Sequence, residues 1–192
     1  HGTNTLDAVA KRLFEPGVSV NQTLIAAGKM PTEIYSKSFM DIFVFIGGCG
    51  AALCLITALL IAAKKSHNRK LGKVAGISVL FNISEIAIFG FPVIFNPVMF
   101  VPFILTPLVF VLTSTFAMTM GLVPYVTRSV EWTVPVIFSG YEATGSVAGS
   151  VLQIVNLLIG TLIYIPFIRY SEEKQTRNFK EEVRQMTEDM DQ

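Results

Sequence analysis

From Val74 to Ile168 the chain runs 95 residues with only four charged side chains: Glu85, Arg128, Glu131 and Glu142. A soluble domain carries roughly one charged residue in four, so this stretch lacks the polar surface needed to face water. About 20 apolar residues cross the hydrocarbon of a bilayer as a helix, and the stretch has room for several crossings. Upstream, Ile42–Ala63 adds 22 consecutive uncharged residues, which predicts a first span. The whole chain of 192 residues is 52% hydrophobic and 15% charged, with a mean hydropathy of +0.56. Its net charge of +1 offers no basic stripe, so nucleic acid is not an expected partner. The partner that composition demands is the lipid bilayer.

Charge placement orients the chain. KKSHNRKLGK, residues 64–73, holds five Lys/Arg and no acid, and a short basic loop beside a span marks the cytoplasmic side. Residues 169–192, with five basic and seven acidic side chains, read as a tail in water on that same side. An even number of crossings then separates the two, at about 100–123 and 147–168. Segments 74–97 and 132–146 must be housed without a net crossing, as re-entrant hairpins or broken helices. Pro92, Pro97, Pro102 and Pro107 support this, because each removes a backbone donor and clashes with the preceding turn, so a regular helix through all four is not expected. Irregular backbone at membrane depth is tolerated where it lines a cavity, as at many transporter sites; 91–107 also reads as an interfacial loop. Residues 1–38 are expected to face outward, with a short surface helix over Leu6–Leu13. The chain starts at His1 and shows no signal peptide, so it reads as a piece of something longer.

The fold class expected is therefore all-α integral membrane, a polytopic helical bundle with broken helices and re-entrant hairpins. It divides into 1–38, a membrane domain 39–168, and the cytoplasmic tail 169–192. Cys49 and Cys54, inside an apolar run, suggest small apolar fillers. Gly47, Gly48 and Gly50, like the Gly72–Gly76 and Gly145–Gly149 pairs, suggest helix packing. Asn21–Thr23 matches a glycosylation triplet too common to weigh, and Phe179, Val183, Met186 and Met190 form one helical stripe.

Glu85 is the residue to explain. It is the sole charge between Lys73 and Arg128, and an ionisable group within a membrane segment tends to mark a substrate or proton path. The plainer reading puts it at the interface or beside a neutralising Asn82 or Ser84. Asn82, three residues earlier, would share its face on a helix, and an amide beside a carboxylate suits the adjacent hydroxyls of a sugar. Asn96 suits a helix cap, Trp132 an interfacial anchor or a sugar-stacking platform, Glu142 a turn, and His67 a solvated position. Arg128 and Glu131 suit a surface loop. No metal-ligand spacing, phosphate loop or Ser-His-Asp order occurs, so no metal or cofactor is expected. The residues alone lead to part of a polytopic transporter with a buried carboxylate.

GKVAGISVLFNISEIAIFGFPVIFNP, EWTVPVIFSGYEATG and VLQIVN carry a resemblance over about 130 of the 192 residues. They resemble the membrane-embedded C component of bacterial sugar phosphotransferase-system permeases, in the lactose/cellobiose/diacetylchitobiose branch. The pattern is F-N-I-x-E-P-V-I-F-G-x-P-x-x-x-N-P, then V-P-W-T-x-P, S-G-x-x-A-T-G and V-L-Q-x-x-N. DIFVFIGGCGAALCLITALL resembles the branch's D-x-F-x-x-x-G-G-x-G-A-T span. The resemblance implies a C-terminal permease half that binds a disaccharide outside and carries it inward in an elevator-like movement. A phosphocysteine on a partner B component, itself supplied by an A component, would phosphorylate the sugar; neither cysteine of this chain has that role. Glu85 would hold the hydroxyl to be phosphorylated and accept its proton, with Asn82, His1 and Trp132 as neighbouring sugar contacts. An N-terminal permease half and a homodimer of the complete permease are implied as well. Ile86 and Glu131 stand where the branch usually has Pro, and Glu142 adds a charge. A competing reading makes the chain a fragment of an ion- or proton-coupled transporter in which Glu85 titrates, and a weaker one a membrane scaffold.

Overall fold

The computed structural model describes residues 16–91, 93, 96–131 and 133–190. His1, Trp132, Pro92 and the expected Leu6–Leu13 helix lie outside these residues. The described residues are built from helices, without strands.

Helix α1 (Pro16–Ala26) is pinned by Asn21, which is fully buried. Its amide donates to Glu33 O (2.7 Å) and Val126 O (3.0 Å) and accepts from the backbone of Thr32 and Glu33. That burial removes the glycosylation triplet as an acceptor.

The 22-residue run Ile42–Ala63 does not form one helix. Helix α2 (Lys37–Phe39), capped by the Ser36 hydroxyl, widens into a π-helical turn over Met40–Val44 and stops at Phe45. Gly47, Gly48, Gly50 and Ala51 all adopt positive φ, at 78°, 98°, 66° and 56°. Helix α3 (Ala52–Ala62) begins only after them. Eleven residues rise about 16 Å, about half the thickness of a hydrocarbon core. Hydropathy counts apolar residues and misses this, because glycine is apolar yet also the residue that breaks helices. These glycines are turn formers, not the helix-packing contacts expected.

A tight link at Ala63–Lys65 leads to helix α4 (Ser66–Leu80), so most of the basic segment is helical rather than looped, with His67 exposed. Gly72 and Gly76 lie against Leu60 and Ile56 of α3, as close packing requires. A turn at 81–84 leads to helix α5 (Glu85–Gly90). Helix α6 (Pro97–Thr119) then runs through Pro102 and Pro107, so two of the four prolines lie inside one helix and a third opens it. Pro97 opens it, where a missing N–H costs nothing. The Asn96 side chain caps it by accepting from Val98 N (3.0 Å) and donates to Ser171 Oγ (2.7 Å).

Helix α7 (Phe138–Thr144) ends at Gly145, and helix α8 (Val147–Met190) continues unbroken for 44 residues across the Ile168–Arg169 composition change. Gly145 is thus a cap, and Gly149 meets Gly140 instead. Glu142 sits within α7, exposed; Arg128 and Glu131 are exposed and form no ion pair with each other. Helices α6 and α8 are long and apolar enough to cross a membrane. Leu108, Leu112 and Phe116 on α6, and Val151, Leu158 and Leu162 on α8, face outward, as lipid-exposed residues do.

Two cores result. One surrounds α3 with Ala75, Val79, Ile88, Met99, Phe110, Tyr164 and Ile168. The other joins Phe39, Ile42, Phe43 and Val44 to Met118, Val126, Ala143 and Leu152. Helix α8 contacts both, and α3 lies mainly against α8 and α4.

Candidate functional site

An interrupted helix inside a membrane leaves backbone groups that water cannot satisfy. Here the missing partners are supplied by a polar stripe on the buried face of α8. Gln153 donates to Ile42 O and Ser139 Oγ (both 2.9 Å) and accepts from Ile137 N (2.9 Å) and Gly140 N (3.0 Å). Asn156 donates to Phe43 O (3.1 Å) and Ser114 Oγ (2.9 Å) and accepts from Thr113 Oγ1 (2.8 Å). Tyr164 donates to Gly50 O (2.6 Å). The carbonyls of Ile42, Phe43 and Gly50, freed by the π-turn and the glycine turn, are therefore all bonded. Gln153 and Asn156 belong to the VLQIVN motif but drew no role from sequence reasoning. The signal was two amides three apart on one face of an otherwise apolar helix.

The other side of the glycine turn rests on the turn between α4 and α5. Asn82 sits at φ 60° and accepts through its side-chain oxygen from Gly47 N (2.8 Å). Its amide nitrogen lies 3.5 Å from Val134 O. Ser84 Oγ accepts from Cys49 N (3.3 Å). The approach is close enough that a Cβ on Gly48 would stand 2.7 Å from Ser84 Cβ and 2.9 Å from Asn82 O. Two chain reversals thus meet end to end, held by side chains from one to backbone of the other.

Glu85 is the next residue, the first of α5, exposed between half-exposed Ile83 and Ile86. Asn82 and Glu85 do not share a helical face, as the sequence had suggested, because Asn82 is in the left-handed region. They are instead on the two sides of one tight turn. A cleft of about 260 Å³ opens beside it, lined by Lys37, Asp41, Phe45, Gly48, Cys49 and Asn82. Cys49 is exposed there, whereas Cys54 is buried against Gly160. Only Cys54 is the apolar filler expected of both. Among the described residues no group of His, Cys, Asp and Glu is arranged to hold a metal.

A second polar node lies at the far end of α3. Glu172, 3% exposed, accepts from Lys64 N (2.8 Å), Lys65 N (3.3 Å) and Asn68 Nδ2 (2.6 Å). It satisfies the opening of α4 and clamps the α3–α4 link to α8. The charge pattern predicts a solvated tail here, and the fold buries Glu172 instead.

Together these features define a helical membrane protein of the transporter type, with interrupted helices meeting beside a carboxylate. The family described as "Phosphotransferase system, EIIC" matches residues 1–107, and the chain belongs to that family. It is 37% identical over 179 residues to the lichenan permease IIC component of Bacillus subtilis, covering 92% of this chain and 40% of that protein. It is 42% identical over 137 residues to a cellobiose-specific EIIC component of Geobacillus stearothermophilus, covering 70% of this chain and 30% of that protein. The crystal structure of ChbC, the IIC component of the N,N'-diacetylchitobiose-specific phosphotransferase system, matches with a TM-score of 0.80 at 33% identity, over 86% of this chain and 39% of that one. The all-helical membrane fold is thereby shared with a solved transporter. The chain spans about two-fifths or less of the length of these relatives.

Proposed function

We propose that this chain is the sugar-binding part of a phosphotransferase-system permease for a β-linked disaccharide of the cellobiose, diacetylchitobiose or lactose type. The observation that supports the reading is the meeting of the Gly47–Ala51 turn with the 81–84 turn, which puts Asn82 in the lining of a cleft and is followed directly by Glu85 at the start of α5. Glu85 holds the sugar hydroxyl destined for phosphorylation and accepts its proton as a phosphocysteine of the B component transfers the phosphoryl group. Asn82 contributes from the same turn, with His1 and Trp132 as further sugar contacts. Family membership favours this over an ion-coupled carrier in which Glu85 titrates.

The topology proposed places 1–38 outside, 39–168 in the bilayer, and the Lys64–Lys73 segment with the 169–192 tail in the cytoplasm. An N-terminal permease half, and dimerisation of the whole, complete the machine in this reading. The test is Glu85→Gln in the permease with both halves present. Phosphorylation of cellobiose by the B component is expected to vanish and binding to weaken; uptake at the normal rate would overturn the assignment.

A further inference from the structure

Lys37 and Asp41 belong to two clefts at once. They line the cleft beneath Asn82 and Gly48. They also line a second, of about 250 Å³, together with Ser19, Gln22, Ser38 and Ser129. Each cleft alone falls short of the roughly 300 Å³ at which ligand pockets begin, whereas the two joined fall within the range. The two residues common to both linings form one ion pair, Lys37 Nζ with Asp41 Oδ2, four residues apart on α2 and its π-turn. Both side chains are about a third exposed, 37% and 29%, so the pair is wetted rather than sealed. An exposed helical pair of this kind adds little stability, and structural need does not explain its position.

We propose that Lys37 and Asp41 form the subsite for the second ring of the disaccharide, bridging the two clefts into one groove from Asn82 to Ser129. This rests on the sugar-binding reading of the Asn82–Glu85 turn. The chemistry suits a ring carrying vicinal hydroxyls. An ammonium offers three donors and a carboxylate two acceptor oxygens, so the pair can accept a hydroxyl proton and donate to the adjacent oxygen without either ion losing its partner. Ser19, Gln22 and Ser129 add neutral hydrogen-bonding groups beyond it.

The native cysteines make the groove measurable in the complete permease. Cellobiose should protect Cys49 from maleimide, which reports occupancy of the first cleft. In a Cys49→Ser background, Ser129→Cys should also be protected by the same cellobiose concentration, because the second ring covers it. Asp41→Asn and Lys37→Met should each weaken cellobiose binding by about 10-fold, as expected for one lost charged hydrogen bond. Protection of Cys49 without protection at Ser129→Cys would overturn the proposal, as would wild-type affinity in both Asp41→Asn and Lys37→Met. A permease whose Cys49 is not protected by cellobiose would instead overturn the underlying reading of the site, and the two failures are thus distinct.

Discussion

Replacing Gln153 by Leu tests whether the polar stripe of α8 holds the broken helix in place. The side chains are similar in size, so packing changes little, but four hydrogen bonds disappear. The Ser139 hydroxyl, which accepts in this bond, can reorient and donate back to its own helix. Ile42 O, Ile137 N and Gly140 N cannot, because they belong to turns whose geometry the amide completes. An orphaned buried group costs about 1–3 kcal/mol in water-soluble proteins, and hydrogen bonds inside membranes measure nearer 0.6. Three groups at roughly 1 kcal/mol each give about 3 kcal/mol, or about 150-fold in an opening equilibrium. Cys54 supplies the assay, since it is fully buried against Gly160 and becomes reactive only when α3 parts from α8. In a Cys49→Ser permease, Gln153→Leu should accelerate alkylation of Cys54 by about 100-fold and lower the melting temperature. Asn156→Leu should cost only about a third as much, because Ser114 and Thr113 can bond back to their own helix, leaving just Phe43 O. Acceleration by Gln153→Leu of less than about threefold, equivalent to about 0.7 kcal/mol, would refute the reasoning.

Gly48→Ala should abolish cellobiose binding and destabilise the protein by about 2 kcal/mol or more, since the new methyl meets Ser84 and Asn82 backbone at a φ of 98°; thermal melting and ligand binding check it together. Glu172→Ala strips three donors of their acceptor and should cost about 2–3 kcal/mol by the same melting assay. It should leave cellobiose affinity unchanged, because Glu172 lies at the far end of α3 from Asn82. Limited maleimide treatment of the native permease should label Cys49 and spare Cys54, read by peptide mass spectrometry. Equal labelling of both would contradict the packing of Cys54 on α8.

Composition and order alone determined the membrane-embedded helical class, because solvent selects on hydropathy and hydropathy is a sum over residues. They also located the two long apolar helices near 100–123 and 147–168 and the cap at Asn96, and they single out the Asn82–Glu85 block as the candidate for chemistry. Each of those signals is local: a run of apolar side chains, an amide before a proline, a lone carboxylate. What the tertiary structure decided is how non-local partners changed the meaning of local signals. Ile42–Ala63 passes every linear test for a span, yet it breaks, because Gln153, Asn156 and Tyr164, more than 100 residues away in the chain, donate to the backbone carbonyls that the break exposes. Pro102 and Pro107 look like breakers, yet they lie within a continuous helix. Glu172 reads as one of many charges in a wet tail and becomes a buried clamp only because Lys64, Lys65 and Asn68 fold against it. A hydrogen bond satisfied across a hundred residues leaves no periodicity in the sequence, and it is such bonds that set where this chain turns.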